Sequence, residues 1–182
     1  MINNDEEGSI KLRTATIQDL PLLLYWDTQQ HVIDSDPDDE WNWADELTRS
    51  PDWREQLIAE INKKPIGFIQ IIDPAREETH YWGLVAKNLR AIDIWIGEKA
   101  NLGKGYGTQM MTLAIDRCFS DNLVKSILID PLESNTNAIR FYEKLGFQFI
   151  ERKKFNTSNC IIYELKRKSW EELKKKTIMN NK

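Results

Sequence analysis

Cysteine and histidine are scarce in this chain, and each scarcity removes a class of function. Two cysteines (Cys118, Cys160) and two histidines (His31, His80) among 182 residues leave no metal-ligand spacing and no disulfide framework. Long apolar runs are missing as well. Nothing approaches the length of a membrane span, and residues 1–9 are polar and acidic rather than a signal core, which points to a soluble, cytoplasmic protein. Basic excess is absent too. The 25 Lys and Arg against 29 Asp and Glu give a net charge of −4, so there is no electrostatic case for nucleic acid; a cationic small substrate suits the balance better. With 41% hydrophobic residues, the chain has the material for a packed core. No repeat, linker or low-complexity tract divides it. It reads as one domain over 1–182, with a tail at 1–9 and a short helix or frayed end from 169. Monomer and homodimer both remain open.

What is present concentrates in residues 91–147. Ile92, Ile94 and Ile96 alternate with Asp93 and Trp95, a strand with two unlike faces. Gly103, Gly105 and Gly107 follow, interleaved with Lys104 and Tyr106 and ending in Thr108, just before a helical stripe of Met111, Ile115 and Cys118 over 104–119. Glycines let a backbone approach an anion closely, and a helix start offers free N–H groups and a positive dipole end, so a pyrophosphate is the natural guest. A Walker A loop fails, because Gly105 rather than Ser or Thr follows Lys104. A dinucleotide loop lacks its third glycine, since Thr108 stands there, although Asp130 ends the next strand about 20 residues on. A plain tight turn is the remaining alternative. Residues 126–130 make that next strand, and 136–145 a shorter helix closed by Gly146.

Around this centre, 10–14 reads as a strand. Thr16 can cap a helix carrying Ile17, Leu20, Leu23 and Leu24, with Trp26 trailing. Residues 34–43 then hold five acids and two tryptophans. This is either a solvated loop, with Asp39 or a neighbour capping a helix over 41–47, or a substrate wall in which Asp34 and Asp36 hold ammonium groups and Trp41 stacks on a cation. Residues 54–61 and 65–72 form a hairpin about 62–64, and Gly67 marks a bulge or a close backbone approach. The long loop 73–90 offers Glu77, Glu78, Tyr81 and Trp82 to a cationic acceptor. His80 there is an unsupported candidate base. Strands over 147–155 and 160–166 close the pattern.

Two motifs in register give this pattern a family. Gly105 and Gly107 match the glycines of the phosphate motif Arg/Gln-x-x-Gly-x-Gly/Ala. Asn135, Ala138, Tyr142, Gly146 and Phe147 match Asn-x-x-Ala-x-x-x-Tyr-x-x-x-Gly-Phe. Together they resemble the GNAT family of acetyl-CoA-dependent N-acetyltransferases, with Leu102 standing where Arg or Gln is usual. The resemblance implies an α/β fold: a mixed, mostly antiparallel sheet splayed at two central parallel strands, with helices on both faces. It also implies acetyl-CoA as co-substrate, without a metal. Its phosphates would lie on Leu102, Gly103, Lys104, Gly105, Tyr106, Gly107 and Thr108. Its pantetheine arm would pair with the backbone at Trp95 and Ile96 and touch Asn135 and Ala138. Tyr142 would be the general acid to the thiolate; at helical spacing it also reads as a core tyrosine.

Asp93 and Asp130 narrow the resemblance. An acid within a β-branched run is costly unless paired or solvated, and a carboxylate is what an ammonium acceptor needs. Set beside the 135–140 helix, they look like the aminoglycoside 6′-N-acetyltransferase branch, where such a pair binds or deprotonates the 6′-amine. Glu78 and Trp82, with Asp34, Asp36 and Trp41, would line the acceptor side. Ala91 and Ile94 depart from the Gly and Gln expected around the Asp. The competing acceptors are a polyamine, a siderophore-type amine or a protein N-terminus, and the competing class is a non-catalytic acyl-CoA-binding module.

Overall fold

The computed structural model describes residues 8–38 and 40–180. Seven strands form one sheet: β1 (Ile10–Thr14), β2 (Arg54–Ile61), β3 (Lys64–Ile72), β4 (Leu89–Ile96), β5 (Ser126–Ile129), β6 (Gln148–Phe155) and β7 (Ser158–Lys166). Their order is β1-β2-β3-β4-β5-β7-β6, and only the β4–β5 pair is parallel. The helices are α1 (Leu20–Trp26), α2 (Gln30–Ile33), α3 (Trp43–Thr48), α4 (Tyr106–Ser120), α5 (Thr136–Lys144) and α6 (Arg167–Asn180).

Side-chain parity decides what each face of the sheet buries. Ile92, Ile96, Ile127 and Ile129 pack with Met110, Met111, Ala114 and Ile115 of α4, and with Tyr142 of α5, in one core. The alternate residues face the other way. Phe68 packs with Leu23, Trp26 and Trp43 of α1 and α3, while Ala91 and Leu128 pack with Trp82 and Phe155. Asp93 and Asp130 share the parity of Ala91 and Leu128, so both stand on the face opposite α4. Gly67 marks a close approach: a Cβ there would lie 2.5 Å from the Trp95 carbonyl and 2.6 Å from the Met110 methyl. The bulge falls across from it, between Ala59 and Glu60.

The sheet splits at its centre for a traceable reason. β4 and β5 pair at three positions, ending at Ala91↔Leu128. Beyond them β4 stays with β3 as far as Gly97, whose N–H reaches the Ile66 carbonyl at 3.0 Å. The chain after β5 stays instead with β7: Ile161 N–H bonds the Pro131 carbonyl at 2.9 Å and Glu133 N–H the Asn159 carbonyl at 2.8 Å. Each strand keeps its outer partner, and a gap opens between them.

Several boundaries differ from the sequence reading. α3 starts at Trp43 with Asn42 before it, so Trp41 precedes the helix; the proposed cap Asp39 lies outside the described residues. Helix α2 carries a single turn too short for a periodic signal. The loop after β3 ends earlier than expected, because Leu89 and Arg90 already pair with β5.

Candidate active site

The gap between β4 and β5 is a cleft of about 470 Å³, walled by Ile92–Trp95 of β4, by Ile129, Asp130 and Pro131, by Asn135 at the head of α5 and Ala138 and Tyr142 within it, and by Asp36 and Trp41 from the segment before α3. A second hollow of about 350 Å³ adjoins it, sharing Asp36, Trp41, Asp93 and Asp130 and adding Glu77, Glu78, Tyr81 and Trp82. The split therefore runs through the sheet. It brings Tyr142, from the α4 side, to one cavity with two carboxylates from the other side.

Asp93 is oriented by its strand neighbours. Gln56, Gln70 and Asp93 are register partners across β2, β3 and β4. Gln56 Nε2 donates to Gln70 Oε1 at 3.1 Å, and Gln70 Nε2 to Asp93 Oδ2 at 2.9 Å. Both glutamines are buried, and the chain of amides satisfies them while holding the carboxylate in place. The sequence reading missed them. Gln70 carried a signal, a polar residue inside the apolar run of β3; Gln56, directly after Arg54 and Glu55 in β2, carried none.

Asp130 is half-buried and accepts the Tyr81 hydroxyl at 2.7 Å on Oδ2. Burial pushes its carboxyl up to about 6, with Asp36 adding to the rise and the Tyr81 hydrogen bond opposing it. Asp36 is itself raised by desolvation and by Asp38. Asp38 is held low by the hydroxyls of Ser158 and Thr157, which tie the acidic segment to the β6–β7 turn. Tyr142 is 9% exposed, and burial, Asp93 and Asp130 all drive its phenol upward. It keeps its proton in the resting site.

The glycine loop lies at the start of α4. Gly105 takes φ +78° as the residue before the helix, and nothing lies within 4 Å of where a Cβ would stand at Gly103 or Gly105. The first acceptor of the helix is the Gly105 carbonyl, bonded by Gln109 at 3.2 Å, so the amides of Tyr106, Gly107 and Thr108 have no carbonyl a turn back. Leu102 is 44% exposed, and Lys104 reaches Asn101 Oδ1 at 3.4 Å. Residues 102–108 line neither hollow, but Gly107 borders the Phe141 ring of α5, whose neighbours wall the cleft. An open anion cradle beside a slot along the part of β4 that has parted from β5 fits an elongated ligand with a phosphorylated end, as acetyl-CoA is. Asn135 lines that slot while its Oδ1 caps α5 at the Ala138 N–H, 3.1 Å away. The Ile96 carbonyl is bonded by His31 Nε2 at 2.8 Å, so that histidine anchors α2 to β4. His80 is exposed and lines neither hollow.

On the acceptor side the expected residues separate. Asp36 and Trp41 reach both hollows. Glu78 walls the second hollow but is paired with Arg49 at 2.8 Å. Trp82 lines it too, at 5% exposure within an apolar cluster, so its ring is core first. Asp34 stands apart, exposed and accepting from Gln30 Nε2 at 2.7 Å, in neither hollow. The acid count of residues 34–43 drew it in, and a helical i,i+4 contact holds it.

Residues 16–155 match the family model for the acetyltransferase (GNAT) domain. The chain belongs to the GNAT acetyltransferase family. This GNAT protein is 31% identical over 163 residues to an aminoglycoside N(6′)-acetyltransferase type 1 from Klebsiella pneumoniae, covering 81% of this chain and 78% of that one. The solved structure of AAC(6′)-Ib in complex with coenzyme A and kanamycin superposes with a TM-score of 0.80 at 27% identity, over 90% of this chain and 98% of the other. The spermidine N-acetyltransferase of Vibrio cholerae, at 17% identity and a TM-score of 0.71, shares the fold alone. The expected fold and the resemblance to the 6′-N-acetyltransferase branch are both borne out.

Proposed function

We propose that the protein transfers the acetyl group of acetyl-CoA to the 6′-amine of an aminoglycoside. The observation that carries this reading is the pair of carboxylates, Asp93 and Asp130, standing on diverging strands over one cleft that Tyr142 also reaches. Acetyl-CoA supplies an activated acyl carbonyl and a thiolate leaving group. Asp93, braced by Gln70, holds the acceptor's ammonium group. Asp130 is ionised above about pH 6 and takes the amine's proton, directly or through water. Tyr142, kept protonated by burial and by Asp93 and Asp130, delivers its phenolic proton to the departing sulfur as the thiolate forms beside it.

The second hollow suits the rest of a polycation. Its arginines are neutralised, Arg54 by Glu46 and Arg49 by Glu78, so Asp36, Glu77 and Asp93 leave the wall negative. Trp41, stacked on Trp43 at 4.6 Å, offers a flat face to a sugar or amine. The 31% identity to the Klebsiella aminoglycoside N(6′)-acetyltransferase supports the assignment by similarity.

A thiol-release assay tests it, with acetyl-CoA and matched aminoglycosides carrying a 6′-amine or a 6′-hydroxyl. Release with the 6′-amines only is the expected result. Coenzyme binding without release on either set would discard the antibiotic acceptor and direct the search to polyamines and peptides.

A further inference from the structure

Among the described residues, Tyr81 is the side chain that donates a hydrogen bond to Asp130, at 2.7 Å to Oδ2, and the reaction above gives it no role. The segment that carries it has neither helix nor strand, yet the tyrosine is held from several sides. Its ring stacks on Phe155 at 4.2 Å and 11° and meets Trp82 edge-on at 5.7 Å. Buried Glu77 accepts the backbone N–H groups of Thr79 at 2.6 Å and of Tyr81 at 3.0 Å. Lys153 of β6 donates to the Trp82 carbonyl at 2.9 Å and lies 4.8 Å from the centre of the Phe155 ring. His80 adopts φ +53°, and its carbonyl accepts from Gly83 N–H at 2.8 Å. A left-handed histidine is uncommon; here it is held by the turn that aims the Tyr81 ring at Phe155 of β6 and its hydroxyl at Asp130. Such anchoring makes a fixed donor rather than a swinging gate.

Building on the acetyltransfer reading, we infer that Tyr81 is a positioning residue for Asp130: by occupying Oδ2 it turns Oδ1 to the acceptor amine and favours the carboxylate form. The electrostatics agree. Burial raises the Asp130 carboxyl, and the Tyr81 hydrogen bond is the largest influence opposing that rise. The charged and titratable groups around Asp130 are Asp36 from the acidic segment, Lys153 from β6, Cys160 from β7, Asp93 from β4 and Tyr142 from α5. Among them, Asp36 pushes the carboxyl up and Lys153 pulls it down. Tyr81's own phenol is driven far above its ordinary value by burial and Asp130, so it remains a donor across the working pH range.

Tyr81→Phe keeps the ring and its stack on Phe155 and deletes only the donor. Two readouts decide the matter. The first needs no substrate: carboxyl 13C NMR of aspartate-labelled protein, with the Asp130 signal assigned by its loss in Asp130→Asn. The midpoint should move up by about one pH unit in Tyr81→Phe. The second is kcat/KM against pH with one amine. Its acid limb should move by the same amount, so the loss of rate is about threefold greater at pH 6.5 than at pH 9, with coenzyme A affinity unaltered. An unmoved NMR midpoint overturns the inference. So does an equal loss of rate at every pH, which marks a structural role, or a gain of rate, which marks Tyr81 as an obstruction. If the wild-type protein turns over no amine, the acetyltransfer reading alone falls, and the NMR midpoint still decides whether Tyr81 sets Asp130.

Discussion

Beneath α4 the sheet meets methionine, alanine and isoleucine, with Met110, Met111, Ala114 and Ile115 wholly buried. On its other face it meets five tryptophans, Trp26, Trp41, Trp43, Trp82 and Trp95, together with the Gln56–Gln70–Asp93 amide chain and the Asp130–Tyr81 pair. On the proposed function, the first face would take the coenzyme through backbone, at an open glycine loop and a helix start, while its side chains other than Tyr142 pack. The second face would recognise a cation, and such recognition needs carboxylates whose burial is compensated one hydrogen bond at a time. The two meet only where β4 and β5 part, and that is where the chemistry is placed.

The largest expected effect comes from removing a carboxylate on the second face. Asp93→Asn or Asp130→Asn should lower kcat by roughly 10²- to 10⁴-fold, while coenzyme A affinity, a property of the first face, stays within about twofold by calorimetry. Wild-type turnover in both variants would break the proposed division. Tyr142→Phe comes next. It should slow turnover by roughly 10- to 100-fold and leave the unfolding midpoint near wild type; an unchanged rate would return Tyr142 to the core it packs in.

Stability sharpens the contrast from the other side. Met110 has no exposure, and Met110→Ala should cost about 2–5 kcal/mol by urea denaturation. Trp41 is only partly buried, and Trp41→Ala should cost less than half as much while raising KM for the amine. Equal destabilisation by the two would mean that the tryptophan face is scaffold rather than site.

The first face was far more legible in the sequence than the second. A 2-residue period at Ile92, Ile94 and Ile96 and a helical stripe at Met111, Ile115 and Cys118 are local signals, and glycines at 103, 105 and 107 are local as well. The partners of the second face are separated in sequence: Gln70 lies 23 residues from Asp93, and Tyr81 lies 49 from Asp130. Strand register and loop anchoring bring them together, and neither has a local pattern. Asp93 could be seen because it interrupts an apolar strand, and Asp130 because it closes one. The residues that orient them could not be ranked without knowing which strands were neighbours. Asp34 shows the converse error, since a run of acids resembles a binding wall whether or not each acid faces the cavity.

The smallest effect tests how uncomfortable the second face is when empty. Asp130 rises from its ordinary value of 3.8 to about 6 in the folded protein. Between those values the native state holds the proton more tightly than the unfolded chain does. Above about pH 6 the fold therefore bears a charged carboxylate that it disfavours, and below about pH 4 both states are protonated and the penalty vanishes. Asp130→Asn keeps an oxygen for the Tyr81 hydroxyl and carries no charge. It should stabilise the protein at pH 8 by on the order of 1–2 kcal/mol after solvent screening at a half-buried site, with the gain shrinking as pH falls through 6 and gone near 4. Chemical denaturation of the two proteins at pH 8 and pH 4 measures the difference directly. A gain of equal size at both pH values would trace to packing instead, and the carboxylate would then carry no electrostatic strain for an ammonium ion to relieve.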